Sequence, residues 1–374
     1  MKEILSENKD WVEDVWKRCK DKVYKTSARI KDTIPYTTKN GKYDDKSGPD
    51  SIAWWTNSFY AGILWLLYND TKDETFKNYA EGVEKRLDEA LYGYEGLHHD
   101  VGFMWLLTSV ANYTLTGSKK SYQRAMLAAS TLASRYNVEG GYIRAWNGEN
   151  NKGWAIIDCM MNIPLLYWAS KMTGDERFEY IARHHATKTM NCFIRPDGSV
   201  NHIVNFDPKT GEVVETIGGQ GYGVGSSWSR GQSWAVNGFA QSYNATGDVA
   251  YLDAAKRVAN YFISSVSDDF VPRVDFRQPA EPDLKDSSAG AIAACGLIEI
   301  SKVVTEYEKP LYLNAAINIL KALDEKCGAW DEDEEAILKY GTEAYHNKNG
   351  IHMALIYGDF YFMEAIDKLR NYDN

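Results

Sequence analysis

The chain has 374 residues and a formal net charge of −10, and no dense block of lysine and arginine offsets that charge, which argues against nucleic-acid binding. The N-terminus has no apolar signal core and no apolar run reaches membrane-spanning length, so we expect no membrane association. Five cysteines without metal-ligand spacing favour a reducing compartment, the cytoplasm.

The predicted elements are helices of two kinds that alternate along the chain. An amphipathic segment comes first, at about 5–24, and five further amphipathic helices follow short turns such as Thr116-Gly117-Ser118 and Thr173-Gly174-Asp175. Helices of small and apolar residues precede the turns, as expected for an inner layer. The predicted inner helices span 57–69, 100–115, 158–172, 231–245, 287–305 and 358–370.

Six outer and six inner helices in alternation predict an all-α fold, an (α/α)6 barrel. The inner helices are apolar enough to need a closed ring, and the turns are spaced too widely and unevenly for a tetratricopeptide array. Strand-like sequence is confined to loops, at 199–206 and 271–276. We therefore expect a single barrel domain over residues 1–374 and no doubly wound sheet.

Two carboxylates, Asp100 and Asp158, head successive predicted inner helices. In a closed ring the helix starts share one end, so these acids are expected to meet across a pocket. Burial and mutual repulsion would raise a carboxyl pKa there, whereas the helix dipole would lower it. A purely structural alternative is that each acid only caps its helix.

Two motifs resemble sites of other kinds. His98-His99-Asp100 contains metal-ligand residue types, but adjacent histidines do not easily bind one ion, and no Glu-x-x-His partner follows, so we expect no metal. The glycine-rich stretch 218–225 lacks both the preceding strand and the lysine of a nucleotide-binding loop. It is predicted to be a loop over the mouth of the barrel.

Aromatic and cationic residues cluster near the same helix starts. Arg230 is flanked by Trp228 and Trp234, and a guanidinium held between aromatic faces pairs well with the carboxylate of an acidic sugar. Sugar rings also pack on apolar faces, which three further aromatic residues can supply, although packing roles remain open for each. These residues are Trp55, Phe103 and Trp146.

Six motifs in chain order together resemble the unsaturated glucuronyl hydrolases of glycoside hydrolase family 88 over nearly the whole length. The motifs are Trp55-Thr56-Asn57, His98-His99-Asp100-Val101-Gly102-Phe103, Ile157-Asp158-Cys159 with Asn162-Ile163-Pro164, Trp228-Ser229-Arg230-Gly231-Gln232, Asp286-Ser287-Ser288, and Tyr345-His346 with Gly358-Asp359. The resemblance implies an (α/α)6 barrel that acts on lyase products, oligosaccharides with a 4,5-unsaturated uronate at the non-reducing end.

The resemblance also implies how the reaction proceeds. Asp158 is then the general acid and base, which protonates C4 of the unsaturated uronate and directs water to C5, and Asp100 holds the ring hydroxyls. No cofactor is implied, because the vinyl ether of the substrate is itself reactive. The implied substrate-binding residues are His99, Phe103, Trp146, His202, Gln220, Trp228, Arg230 and Trp234.

Alternatives from the same and from other classes stay open at this point. An unsaturated rhamnogalacturonyl hydrolase would share the barrel and the chemistry, and would differ in the leaving sugar. A sugar epimerase or isomerase would need histidine bases along the cavity, whereas a non-catalytic sugar-binding protein would need only aromatic platforms. No Ser-x-x-Ser-x-Lys sulfate-binding signature is evident at 350–357, and the sequence leaves monomer and homodimer equally open.

Overall fold

Helices dominate the structure, a computed structural model that describes residues 2–372. In chain order they are α1 (Lys2–Ile30), α2 (Phe59–Thr71), α3 (Glu74–Arg86), α4 (Asp88–Gly93), α5 (Val101–Trp105), α6 (Ala111–Thr116), α7 (Lys119–Ser134), α8 (Pro164–Thr173), α9 (Glu176–Phe193), α10 (Ser229–Thr246), α11 (Val249–Ser265), α12 (Ser287–Val303), α13 (Lys309–Cys327) and α14 (Ile356–Arg370). A π-helical turn, Leu106–Val110, joins α5 to α6.

The inner helices form a closed ring. Helix α14 contacts α2, α2 contacts the π-helical turn after α5, α10 contacts both α12 and the segment before α8, and α12 contacts α14 again. Helices α1, α3, α7, α9, α11 and α13 alternate with the inner ones along the chain. The alternation of six outer and six inner helices predicted from the sequence is therefore confirmed.

The turns between inner and outer helices follow one chemical pattern. Gly174 ends α8 with a left-handed φ of 70°, and the Asp175 side chain then caps α9 by accepting a hydrogen bond from the Arg177 N–H. The Thr173 hydroxyl accepts a hydrogen bond from the Asp175 N–H at 3.1 Å. The same arrangement recurs at 116–118 and 246–248.

Burial distinguishes the two layers. Helix α12 is buried over most of its length, including Ala291, Ala294 and Leu297, because it lies between α10 and α14 and against α13. The outer helix α9 buries only one stripe, which includes Ala182 and Ala186. A helix that is apolar on all sides belongs to a core, whereas an amphipathic helix faces solvent on one side.

Short antiparallel strands lie in the loops. They form two hairpins and one three-stranded sheet of order β5-β6-β7. The strands are β1 (Thr38–Lys39), β2 (Lys42–Tyr43), β3 (Tyr136–Asn137), β4 (Tyr142–Ile143), β5 (Trp154–Ile156), β6 (Ile203–Phe206) and β7 (Val213–Ile217). No helix in the described range 2–372 combines the length and the apolar character needed to cross a membrane.

Two sequence-based expectations are wrong in detail. Residues 271–276 form isolated bridges rather than a strand, because the segment bonds to Ser227 and Ser229 on one side and to Leu284 on the other, and residues 2–372 offer it no continuous partner strand. The helix predicted at 158–172 is divided into a 3₁₀ turn, Ile157–Met161, and α8, which begins at Pro164.

Candidate active site

The starts of the inner helices surround a cavity of about 1180 Å³. Its lining includes these residues predicted from the sequence: Trp55, His99, Asp100, Trp146, Asp158, Gln220 and Arg230. Four other predicted residues, Phe103, His202, Trp228 and Trp234, are buried and do not line this cavity. The predicted carboxylates and the arginine therefore line one cavity. Three of the predicted aromatic residues, Phe103, Trp228 and Trp234, are instead buried in the packing around it.

Asp100 is the residue before α5, and its side chain makes no capping hydrogen bond. Instead, its carboxylate oxygens lie 3.3 Å from Nδ1 of His98 and 3.5 Å from Nε2 of His99. Burial raises the pKa of Asp100 to about 7, although a hydrogen bond from Asn162 opposes the shift. The capping role that the sequence left open does not apply to Asp100.

Asp158 lies in the 3₁₀ turn Ile157–Met161, ahead of α8 rather than at its first residue. Its side chain is 20% exposed, and Oδ1 is buried with no hydrogen-bond partner among residues 2–372. Burial raises the pKa of Asp158 to about 8, and the nearby charge of Asp100 acts in the same direction. Near neutral pH the acid form of this carboxyl group is therefore favoured.

Asn162 connects the two acids. Its Nδ2 donates hydrogen bonds to Oδ1 of Asp100 at 3.1 Å and to the backbone carbonyl of Asp158 at 3.2 Å. Its Oδ1 accepts a hydrogen bond from the Phe103 N–H at 2.7 Å. Asn162 is fully buried, and the sequence interpretation included it in a motif without giving it a role.

His202 approaches Asp158 from the loop before β6, with Nε2 3.8 Å from Oδ1 of the acid. Its Nδ1 lies 3.0 Å from the backbone N of Gln220, which can donate to it, and 3.3 Å from the backbone carbonyl of Gly218. Burial lowers the pKa of His202 to about 3, so the ring is neutral near pH 7. The indole of Trp228 lies against the ring, with centroids 4.2 Å apart.

Gly219 allows this close approach of the loop to His202. Its φ is +58°, and a Cβ at this position would lie 2.0 Å from Nδ1 of His202. Gln220, the next residue, lines the cavity and donates from Nε2 to the backbone carbonyl of Glu343 at 2.8 Å. The glycine-rich stretch thus brings an amide side chain to the cavity, in agreement with the loop predicted there.

Arg230, in the first turn of α10, is a buried cation with a fixed position. Its Nη1 donates to the fully buried carboxylate of Asp286, and also to the backbone carbonyl of Thr342 at 2.6 Å. The guanidinium lies over the rings of Trp228, at 4.7 Å, and Tyr357, at 5.4 Å. Arg230 is also among the residues that line the cavity.

The prediction that Trp234 flanks Arg230 is wrong. Trp234 lies one turn further along α10 and is fully buried, with its ring 5.1 Å from Phe103 and 5.5 Å from Tyr361. It also meets the ring of Trp55 edge-on, at 6.5 Å. Tyr357 takes the position predicted for Trp234, because α14 lies beside α12 and reaches the same end of the ring.

Two of the predicted aromatic residues present surface to the cavity. Trp55 rests on Phe103 and Tyr357, with centroids 5.4 and 4.9 Å away, and forms part of the cavity wall. Trp146 is 36% exposed and packs against Trp154. Trp55 and Trp146 can therefore contact a sugar ring directly, whereas Phe103 and Trp234 act as packing behind Trp55.

The His98-His99-Asp100 cluster is a candidate for holding an ion, since its ligand atoms all lie within 4.8 Å of one another. The same nitrogen atoms face the Asp100 carboxylate and can equally fix its orientation. Burial lowers the pKa of His98 to about 4 and that of His99 well below its usual value. Both rings are thus neutral and add no charge to the acid pair.

Two acidic residues at or near the cavity carried no predicted role. Glu343 lines the cavity, and its carboxylate accepts hydrogen bonds from the hydroxyl of Tyr36 and from Nδ2 of Asn347. Asp286 holds Arg230, and it also caps α12 by accepting from the Ser288 N–H at 3.2 Å. The sequence signal for Asp286 was its place in an Asp-Ser-Ser motif at an inner-helix start.

Comparisons with known proteins agree with this geometry. The model of Glycosyl Hydrolase Family 88 matches residues 26–374. An unsaturated glucuronyl hydrolase of Bacillus sp. (strain GL1) is 37% identical over 325 residues, which cover 84% of this chain and 86% of the relative. An unsaturated chondroitin disaccharide hydrolase of Streptococcus pneumoniae (strain ATCC BAA-255 / R6) is 36% identical over 323 residues, or 83% and 81% of the two chains.

A solved structure of an unsaturated glucuronyl hydrolase variant with the tetrasaccharide dGlcA-Glc-Rha-Glc superimposes with a TM-score of 0.88. It is 34% identical in sequence, and the match covers 95% of this chain and 96% of the other. The similarity therefore extends over the whole ring of helices and over the cavity at its end.

Proposed function

The chain belongs to glycoside hydrolase family 88, and from that premise we propose that it releases the 4,5-unsaturated uronate from the non-reducing end of glycosaminoglycan-type disaccharides made by lyases. The relatives whose names mention unsaturated glucuronyl and chondroitin disaccharide substrates support this choice. The observation that carries the proposal is the position of the Asp158 carboxyl group, which lines the cavity with Oδ1 unpartnered among the described residues and whose pKa burial raises to about 8.

In the proposed reaction Asp158 adds its proton to C4 of the unsaturated ring. A water molecule then forms a bond to C5 and returns a proton to the Asp158 carboxylate, so water has added across the double bond and the acid is restored. The hemiketal at C5 opens by cleavage of the C5–O5 bond, which leaves a ketone at C5 and moves the hydroxyl proton to the ring oxygen. C1 is then a hemiacetal, which loses the neighbouring sugar as its free alcohol and becomes an aldehyde. The pKa of about 8 suits this role, since a general acid works best when its pKa is close to the operating pH.

Neighbouring groups support the assignment of the proton to Asp158. The neutral His202 lies 3.8 Å away and, with its pKa of about 3, does not take the proton at neutral pH. The charge of Asp100 raises the pKa of Asp158 further. We assign Asp100 to binding of the ring hydroxyls, because its carboxylate lines the same cavity and is oriented by Asn162.

We assign recognition of the uronate carboxylate to the side of the cavity that contains Arg230 and Gln220. Arg230 supplies a cation that Asp286 holds in place, and Gln220 supplies an amide that the Glu343 carbonyl orients. Trp55 and Trp146 are proposed to contact the sugar rings. Phe103, Trp228 and Trp234 are then positioning residues behind these groups, and His99, which lines the cavity, orients Asp100.

The test is the ultraviolet absorbance of the C4=C5 double bond in unsaturated chondroitin and hyaluronan disaccharides. We expect the wild-type chain to remove the absorbance, and Asp158→Asn to bind the disaccharides without removing it. Asp253→Asn, an exposed substitution on the outer helix α11, is the control that should retain full activity. A wild-type chain that leaves every disaccharide unchanged would contradict the proposed substrate class.

Unsaturated rhamnogalacturonan products are the second substrate class to test, because the same chemistry applies to them with a different leaving sugar. Turnover of these products alone would assign the chain to the rhamnogalacturonyl type. For the compartment we propose the cytoplasm, since all five cysteines are free thiols and four of them are buried. We also propose that the barrel is one domain.

A further inference from the structure

A second cavity, of about 450 Å³, opens beside the active-site cavity. Its wall carries three cationic side chains, Arg135, Arg144 and Lys152, and no carboxylate among residues 2–372, although Lys152 pairs with the exposed Glu149. The remaining wall is formed by Tyr94, Ser134, Tyr136, Asn137, Asn147 and Pro208. In a chain with a net charge of −10, a cavity lined only by cationic and neutral groups is a distinct electrostatic feature.

The two arginines of this cavity are held in place without any ion pair among residues 2–372. Arg135 donates from Nε to the Arg144 carbonyl at 2.9 Å and from Nη1 to Oδ1 of Asn147 at 2.8 Å. Arg144 donates from Nη2 to the Gly148 carbonyl at 2.7 Å, and its Nε is buried with no partner in the described chain. A buried guanidinium N–H without an acceptor favours binding of an anion.

The position of the cavity connects it to the active site. Tyr94 lines both cavities, and its side chain is 60% exposed, so its ring forms the ridge between them. Asn147 lines the basic cavity and follows Trp146, which lines the active-site cavity. Its Nδ2 donates to the Leu97 carbonyl at 2.9 Å, which ties this loop to the segment before His98.

We propose that the basic cavity is a second carbohydrate subsite, which binds the carboxylate or sulfate of a sugar beyond the leaving residue in acidic oligosaccharides longer than a disaccharide. The Tyr94 ring supports the intervening sugar, and Arg144 and Lys152 contact the anion. The inference rests on the proposed function, and it predicts that acidic tetrasaccharides bind more tightly than disaccharides with the same non-reducing end.

The kinetic test compares three substrates with an unsaturated uronate at the non-reducing end: a hyaluronan disaccharide, a hyaluronan tetrasaccharide with a second uronate, and dGlcA-Glc-Rha-Glc, whose other three sugars are uncharged. For the wild type we expect a KM about tenfold lower for the acidic tetrasaccharide than for the disaccharide, because one charge-assisted hydrogen bond contributes about that difference in affinity. Arg144→Gln should remove this difference and leave the KM of the other two substrates unchanged.

Two further variants separate a binding role from a structural one. Arg144→Lys should keep part of the advantage, because the positive charge is retained. Lys171→Gln removes an exposed charge near the far end of α8 and should change no KM. If Arg144→Gln lowers the thermal stability, the same comparison of KM values is made with Lys152→Gln instead, because Lys152 is exposed.

Binding to the inactive Asp158→Asn chain distinguishes failure of this inference from failure of the proposed function. Calorimetry should show tighter binding of the acidic tetrasaccharide, dependent on Arg144, whether or not the wild type cleaves any of the three substrates. Equal affinity for di- and tetrasaccharide, or an equal effect of Arg144→Gln on all three substrates, would overturn the subsite. Arg144-dependent binding of inorganic phosphate without an effect on the tetrasaccharide would overturn it as well, by assigning the cavity to a free anion.

Discussion

Nδ2 of Asn162 donates a hydrogen bond to Oδ1 of Asp100 at 3.1 Å, across the space between two successive inner segments of the barrel. The same amide group also binds the backbone of Asp158, so a single uncharged side chain sets the relative position of the two acids. The orientation of Asp100 therefore depends on a residue that need not contact substrate.

Asn162→Ala should lower kcat by about a hundredfold, because small errors in the position of reacting groups have effects of this size. The bond from Asn162 lowers the pKa of Asp100, so its loss should also shift the ionisation of Asp100 to higher pH. Steady-state kinetics from pH 5 to 9 measure both effects. Asn244→Ala, an exposed position on α10, is the matched control. An unchanged pH profile together with lower thermal stability would indicate that Asn162 acts only in packing.

The pH dependence of the reaction should have an alkaline limb set by Asp158. Its pKa is raised to about 8, so the acid form is present below that pH and is lost as pH rises through it. We expect kcat to fall about tenfold per pH unit above this point. Asp100→Asn removes the neighbouring charge and should move the limb to lower pH, in addition to reducing activity. A limb that stays in place would mean that another group provides the proton.

Asp158 should also make the folded chain less stable at high pH. Because its pKa is raised on folding, the folded state holds the proton more tightly, and stability is lost as pH rises from the ordinary carboxyl value of 3.8 towards 8. Asp158→Asn should therefore raise the melting temperature by a few degrees at pH 9 and have little effect at pH 4. Thermal unfolding of both chains at several pH values tests this difference, and an effect independent of pH would contradict it.

Asp286→Asn should destabilise the fold and weaken substrate binding. The substitution leaves the buried guanidinium of Arg230 without its carboxylate, and breaking a buried pair from one side costs about 3–5 kcal/mol. Denaturant unfolding measures this loss of stability. In the variant protein that remains folded, the KM for the disaccharide should rise. Asp175→Asn is the matched control, since Asp175 also caps a helix and pairs with an arginine, but its partner Arg177 is exposed to solvent and little change is expected.

Gly219→Ala should reduce activity strongly while Gly223→Ala, in the same loop, leaves it unchanged. At position 219 the added carbon would overlap His202 and the backbone has a positive φ, whereas a carbon at position 223 meets nothing within 4 Å. Activity on the disaccharide and melting temperature should be measured for both variants. Equal activity of the two variants would show that the contact between the loop and His202 is not required.

The helical framework was predictable from the sequence because its signals are local. A turn such as Thr173-Gly174-Asp175 specifies a helix end and the next helix start within three residues. The alternation of apolar and amphipathic helices then follows from composition. The meeting of Asp100 and Asp158 at one cavity also follows, once the ring is assumed to close.

The contacts that adjust the site were not predictable in the same way, because they join segments far apart in the chain. Tyr357 lies beside Arg230 only because α14 packs next to α12. The sequence suggested Trp234 instead, because Trp234 is close to Arg230 along the chain. The pairing of Arg230 with Asp286 likewise depends on the packing of α10 against α12. In both cases proximity is decided by the order of helices around the ring.

Closure of the ring also has a consequence for synthesis of the chain. The inner helix α2 carries buried rings such as Phe59, which packs against Phe360 and Tyr361 of α14. On the ribosome α2 emerges well before α14, so this apolar surface has no permanent cover until α14 has also been made. The nascent chain must remain protected from aggregation over that time, and the ring can close only after α14 has left the ribosome.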